Sequence, residues 1–415
     1  MTISPPSNVR LSPGEPARVL ACGIDSLVLA LDVHWLDERL LYKLAELKQE
    51  AAGNDAEVPG RIMLDDGSAA WLFTVKPHGT SGHAYLLNSG SMSWSVGHSP
   101  TPTSRPGVMV TIRSETLWTH GPASVVQRVH DLIDAAGGKV MACKVSRADL
   151  CVDVLLPVAA WDRELREYVV SRAEYRVPFF SKLRRTGLQI GKGKIMGRMY
   201  DKPLEIIARG GKKIWMYDVW GVQSVADDHR IIRVEFEAKR EGIKALGVDT
   251  FEDLEQLTPN LWAYFTGQWL RMVDDPAKHH TRQKLLPWWP VVQAGYTGAQ
   301  HAMPLIRAKA VKADREQLCK QLLGYLTSLV AADRQGDLIE PGEMLDLETH
   351  LAMVKDTVKE YGWNDAEFTE RVKLRQARYQ REGEKFAAAE CARAQAGVSL
   401  FKRSQRRTHT GSNSA

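Results

Sequence analysis

In Ser146-Arg-Ala-Asp-Leu-Cys-Val-Asp-Val154 every second residue is apolar, and Ile231-Ile-Arg-Val-Glu-Phe-Glu-Ala-Lys239 repeats the pattern. A period of two is the signature of a β-strand with two unlike faces, and it bars a helix at either place. Ala148, Leu150, Val152 and Val154 share a core face and leave Arg147, Asp149, Cys151 and Asp153 on the other. In the second strand Ile232, Val234, Phe236 and Ala238 oppose Arg233, Glu235, Glu237 and Lys239. Each strand carries an Arg-x-acid on its polar face, so two readings stand. The face is solvated, or it is a site built on carboxylates.

The rest of the chain predicts an α+β fold: a mostly antiparallel sheet with helices on one face, followed by a helical C-terminal region. Strands are expected at 23–35, 69–75, 84–88 and 108–112. Helices are expected at 36–51, where Leu40, Leu41, Leu44 and Leu47 form a stripe, and at 122–136, 162–175 and after Thr250, with Asp253 as its capping partner. A longer helix is expected at 303–333. The organisation predicted is a flexible arm at 1–20, a catalytic domain at 21–265, a connection with helical character at 266–345 and a basic tail at 346–415. Trp288 and Trp289 are expected to pack. From Glu367 onward eleven cations face five acids, which suits a nucleic-acid arm or a solvated helix equally.

Lys194-Ile-Met-Gly-Arg-Met-Tyr-Asp-Lys-Pro-Leu-Glu205 follows a glycine turn and reads as the second strand of a hairpin. Alternation places Met196, Arg198 and Tyr200 on one face. Between Ser181 and Lys213 ten cations stand against two acids, a larger excess than the +5 of all 415 residues. Such a field attracts a polyanion and is expected to favour the Tyr200 phenolate over the phenol. Lys182, Arg184, Arg185, Lys192, Lys194, Lys212 and Lys213 are the candidate DNA contacts. The glycine spacing here does not fit a phosphate-binding loop, since three residues rather than four separate Gly187 from Gly191.

A tyrosine that attacks a phosphodiester needs a hard divalent cation and basic groups to hold the strand. Asp149 and Asp153 lie roughly 13 Å apart on a regular strand, too far to share one ion. Asp149 is therefore paired with Glu235 across strands, with Asp153 in reserve and Glu237 as base or second ligand. Arg198 and Lys202 complete the catalytic set.

No two of the twelve histidines stand two residues apart, which excludes a His-hydrophobic-His metal motif. The five cysteines are scattered and form no CxxC pair, so neither a zinc ribbon nor a disulfide framework is expected. No apolar run approaches the ~18 residues of a membrane span, and a cytoplasmic protein without membrane partners is expected.

The three motifs, in this order, resemble the replication initiation factor family: the rolling-circle Rep proteins of small plasmids and the related relaxases and initiators of filamentous phages and integrative elements. The resemblance covers roughly residues 23–257. It implies a sequence-specific nicking enzyme dependent on Mg²⁺ or Mn²⁺, in which Tyr200 joins the 5′-phosphate and frees a 3′-OH. Asp149 and Glu235 match the acidic ligands. The implied partners are duplex and single-stranded origin DNA, a host helicase and a DNA polymerase, with a homodimer as one arrangement open to it. Two alternatives remain: a non-catalytic DNA-binding replication or partition protein, and a conjugative relaxase.

Overall fold

The computed structural model describes residues 9–63, 69–80, 82–90, 92–162, 165–181 and 184–296, then shorter stretches at 322–323, 326–331, 334, 343–360, 364–373 and 376. The chain divides into two units, 1–306 and 307–415.

Among the described residues, thirteen strands run through the first unit. They are β1 (Arg18–Trp35), β2 (Val58–Met63), β3 (Ala69–Val75), β4 (Tyr85–Ser89), β5 (Met92–Val96), β6 (Val108–Arg113), β7 (Gly138–Pro157), β8 (Val169–Ser171), β9 (Arg176–Ser181), β10 (Arg184–Ile190), β11 (Ile195–Asp201), β12 (His229–Lys239) and β13 (Leu270–Met272). Eleven of them form one sheet in the order β2-β3-β4-β5-β6-β1-β7-β12-β11-β10-β9, and β13 pairs with β8. Every pairing between these strands is antiparallel. The α+β expectation holds.

The helices follow their apolar spacing. In α1 (Arg39–Asn54) the four stripe leucines are all buried. In α3 (Pro122–Ala135), which follows the short α2 (Ser114–His120), Val125, Val126, Val129, Leu132 and Ile133 are buried. The short helices α4 (Val158–Trp161), α5 (Lys202–Ala208), α6 (Met216–Trp220) and α7 (Arg240–Lys244) precede α8 (Phe251–Tyr264), and α9 (Trp289–Gln293) follows it. Helix α8 opens with the expected capping box, Thr250 accepting from the Asp253 amide at 3.2 Å and Asp253 accepting from the Thr250 amide at 3.0 Å. Such caps contribute about 1 kcal/mol.

Four expectations need correction. The helix expected at 162–175 is replaced by a short 3₁₀ turn and β8, because the Val169-Val170 pair finds a strand partner in β13 about a hundred residues downstream. Residues 9–20 are not a free arm: Val9 bridges Val225, the Leu11 amide donates to His229 at 3.3 Å, and Ala17 is buried. Two stretches of 266–296 belong to the core rather than to a connection, since Trp269, Trp288, Trp289, Val292 and Tyr296 are buried in the main apolar cluster, while residues 274–284 between them are largely exposed. Tyr296 ties this segment to the middle of the sheet, donating to the Gly23 carbonyl at 2.6 Å. Finally, α5 and α6 cover part of the face opposite the main core, packing Ile206, Met216 and Trp220 against Leu155 and Ile231.

In the second unit Leu326 is buried while Leu322 and Leu329 are exposed, and Leu318 and Tyr325 lie outside the described residues, as does the chain beyond 376.

Candidate active site

Strand register assembles the site before any side chain is considered. Phe179, Gly187, Tyr200, Arg233 and Asp153 stand in one cross-strand rank through β9, β10, β11, β12 and β7. The next rank holds Val177, Gln189, Arg198, Glu235 and Cys151, and the third holds Met196, Glu237 and Asp149. Neighbouring strands lie about 4.8 Å apart, so opposed side chains in each rank touch. In register Asp149 therefore faces Glu237 directly, with Glu235, its expected partner, on the diagonal.

This face is not solvated. Asp149 is 2% exposed, Glu235 and Glu237 4% each, and Asp153, Arg233 and Lys202 0%. Buried charges persist only when paired, and these form two linked clusters.

In the first cluster the Tyr200 hydroxyl donates to Glu235 Oε2 at 2.8 Å. Arg198 bridges the two glutamates, donating to Glu235 Oε1 at 2.7 Å and to Glu237 Oε2 at 2.6 Å. Arg147 grips Asp149 with two bonds of 2.7 and 2.5 Å and reaches Glu237 at 3.0 Å. Glu235, not Glu237, is thus the carboxylate beside the phenol. Burial pushes the Asp149 carboxyl up to about 7; the Arg147 bonds oppose that rise, and the Glu235 and Glu237 charges add to it.

Arg233 organises the second cluster. Its Nε and Nη2 donate to Asp153 at 2.7 Å each, and its Nη1 donates to Asp25. Asp153 also accepts from the Trp220 indole at 2.8 Å, and Lys213 reaches Asp25 at 3.3 Å. With both oxygens engaged by the guanidinium, Asp153 is a structural partner of Arg233, in a different cluster from Asp149. Asp25 was absent from the expected site. It sits where the β1–β7 register slips between Ile24 and Ser26, and this bulge directs its carboxylate at Arg233.

Lys202 lies between the clusters. Asp201 caps α5 by accepting from the Leu204 amide at 3.1 Å, with Pro203 in the first turn, so the chain leaves β11 for the helix immediately after Tyr200. The turn sets Lys202 Nζ 3.4 Å from the Tyr200 oxygen, 5.3 Å from the ring centroid and 3.0 Å from Glu205. Burial, reinforced by the Arg233 charge, lowers the Lys202 pKa.

Tyr200 reverses its expectation. Burial drives the phenol pKa well above its usual value, and the Glu235 charge raises it further. The cation field foreseen from composition is cancelled locally: Asp25, Asp149, Asp153, Glu235 and Glu237 are interleaved with Arg147, Arg198, Lys202, Lys213 and Arg233. The resting group is a neutral phenol with an acceptor already in place.

The hairpin cations divide. Arg184 is exposed and lies 3.8 Å from Asp201, Lys192 sits 4.7 Å over the Tyr175 ring, and Lys212 faces solvent. Lys194 is exposed but paired with Glu241. Arg185 turns inward, its guanidinium 5.2 Å from the Trp161 ring and bonded to that residue's carbonyl, and Lys213 turns to Asp25. Lys182 lies outside the described residues.

Asp149, Glu235 and Glu237 supply oxygen donors alone, the kind that Mg²⁺ and Mn²⁺ take. In donor chemistry the set fits such an ion in kind. Among the described residues no three His, Cys, Asp or Glu side chains are arranged as a metal site; Arg147 and Arg198 engage the carboxylate oxygens instead.

No protein-family model matches the chain, and no curated protein matches it. Among the described residues no helix is long and apolar enough to cross a membrane.

Proposed function

We propose that the chain is a rolling-circle replication initiator that nicks one strand of its origin through Tyr200. The observation that carries this reading is the 2.8 Å bond from the Tyr200 hydroxyl to Glu235, with Arg198 and Lys202 beside it. A nucleophile within reach of a base that is itself oriented by a third group is the general arrangement for covalent catalysis. Tyr200 passes its proton to Glu235 and its oxygen attacks the scissile phosphorus. The bond to the 3′ oxygen breaks, the 3′ oxygen takes a proton from solvent, and the 5′-phosphate stays on Tyr200. Arg198 and Lys202 offset charge on the non-bridging oxygens. Asp149 and Glu237, with Glu235 diagonal to them, would hold Mg²⁺ or Mn²⁺, which when bound supplies Lewis-acid polarisation of the phosphate.

The test is a covalent adduct, stable to denaturing electrophoresis, with single-stranded oligonucleotides tiled across the DNA around the gene. DNA binding without an adduct would support a second reading, a non-catalytic DNA-binding replication or partition protein. The complete pairing of the buried charges and the neutral Tyr200 favour that reading. A conjugative relaxase shares the chemistry and differs in its neighbouring genes. Helicase, polymerase and homodimer contacts, and action in the cytoplasm, belong to the same proposal.

The Asp149 carboxyl gives a metal test that does not depend on activity. Its folded-state value lies above its unfolded one, so its contribution to stability is present at low pH and is lost as pH rises towards about 7. Added Mg²⁺ or Mn²⁺ should therefore raise the melting temperature more above pH 7 than well below it, and Asp149→Asn should remove the difference. An equal rise at both pH values would count against these ligands.

In the C-terminal unit, Arg371 pairs with Glu367 at 2.7 Å and Lys373 with Glu370 at 2.7 Å along one helix. Deleting the chain beyond Glu367 should weaken duplex binding and flatten its salt dependence by about 0.9 in log–log slope for each phosphate no longer neutralised. An unchanged slope would make the tail a solvated helix.

A further inference from the structure

The chain that leads into β1 is strapped across the sheet where β7 ends and β12 begins. The Val9 amide donates to the Ser224 carbonyl at 3.1 Å, the Ala226 amide donates to the Val9 carbonyl at 3.5 Å, and the Leu11 amide donates to His229 Nε2 at 3.3 Å. Val9 and Leu11 also pack on the small apolar cluster of Leu155, Ile206, Met216, Trp220 and Ile231. Trp220 is the residue whose indole holds Asp153, so the strap bears on the cover of the second charge cluster.

The Leu11 bond fixes the state of the imidazole. A backbone amide can only donate, so Nε2 must present its lone pair. The proton of the neutral ring is then on Nδ1, 2.8 Å from Asp228 Oδ1. A second proton, on Nε2, would set N–H against N–H and cost the strap this bond. Although His229 is buried, it lines an open cleft of about 620 Å³ with Leu11, Ser12 and Glu15 on one side and Pro157, Val158 and Ala159 on the other, which admits water beside the ring.

The neighbouring charges either favour the same direction or do not change. Arg10 arrives with the strap and stands 4.0 Å from Asp228, so closure adds positive charge near the ring. Glu15, also on the strap, is bound by Arg18 at 2.9 Å. Asp227, Asp228 and Arg230 belong to the ring's own segment and stay beside it whether the strap is on or off, with Arg230 donating to the Asp227 and His229 carbonyls. Pro157, Val158 and Ala159, at the end of β7 and in α4, bring no charge to the cleft.

We propose that His229 is a proton-operated latch for the N-terminal strap: neutral, its Nε2 holds Leu11, and protonated, it releases residues 9–12 from the sheet. Closing the strap excludes the Nε2 proton, so closure is favoured where the ring is neutral and is lost as pH falls. The latch does not depend on whether Tyr200 nicks DNA.

Hydrogen exchange of the full chain, read by mass spectrometry, tests the latch. After correction for intrinsic exchange rates, protection around the Leu11 amide should fall about tenfold between about pH 7.5 and about pH 5.5, the change for a histidine that titrates as in water when the strap is open and takes no second proton when it is closed. His229→Gln, whose amide oxygen accepts from Leu11 without titrating, should keep that protection nearly constant over the same range. No fall in the parent, or an equal fall in His229→Gln, overturns the latch. So does a fall of the same size in the β7 peptides around Asp153, because the whole sheet would then be loosening. Nitrogen-15 histidine spectra of the unaltered protein give a second measurement: at neutral pH His229 should be the Nδ1–H tautomer, and the Nε2–H tautomer overturns the proposal.

Discussion

Tyr200→Phe should abolish the covalent adduct and strand nicking while leaving DNA affinity nearly unchanged. The substitution removes one hydroxyl and keeps the ring that packs beside Gly187 and under Lys202. The loss should be complete within detection, because phenylalanine offers no oxygen to phosphorus. Glu235→Gln should retain a small residual rate: the phenol keeps a hydrogen-bond partner but loses the acceptor for its proton. Denaturing gels of labelled oligonucleotide report both. An adduct that survives in Tyr200→Phe would move the nucleophile to another tyrosine and remove the basis for the base role of Glu235.

Arg233→Ala should destabilise the protein by about 3–5 kcal/mol, the usual cost of stranding a buried charge. Two carboxylates depend on this guanidinium, Asp153 in full burial and Asp25 in the β1 bulge. Burial by itself would raise the Asp25 carboxyl; Arg233, Lys213 and Lys202 hold it well below the usual range instead. A depressed carboxylate gives stability above its unfolded pKa that is lost as pH falls, so acid should unfold the parent more readily than neutral pH does. Urea unfolding of Arg233→Ala measures the loss. The triple change Arg233→Met, Asp153→Leu, Asp25→Asn should recover much of it, because the cost comes from unpaired charge rather than lost volume. A loss below about 1 kcal/mol in Arg233→Ala would mean that water reaches the cluster and screens it.

Much of this fold is legible along the chain. The α1 leucines, the Thr250–Asp253 cap and the alternation in β7, β11 and β12 each depend on neighbours within a turn or a strand, and each forms as read. What failed depended on distant partners. A Val-Val pair in a charged stretch became β8 because β13 was there to receive it, and the tryptophans on either side of an exposed connection became core by packing on the main apolar cluster.

The candidate site divides along the same line. Sequence by itself determined which residues share a face: period two places Tyr200 with Arg198, Glu235 with Glu237 and Asp149 with Asp153, whatever the strands do next. Only the tertiary structure decided who touches whom. Register between strands set Asp149 against Glu237 and Tyr200 against Arg233, and a one-residue slip would have exchanged every pair. Burial decided the sign of the electrostatics. Counted along the sequence, ten cations surround Tyr200; in the fold, carboxylates from β1, β7 and β12 stand among them, and desolvation keeps the phenol neutral. Charge adds along a chain, whereas a pKa answers to the few ångströms of dielectric and partners that packing supplies.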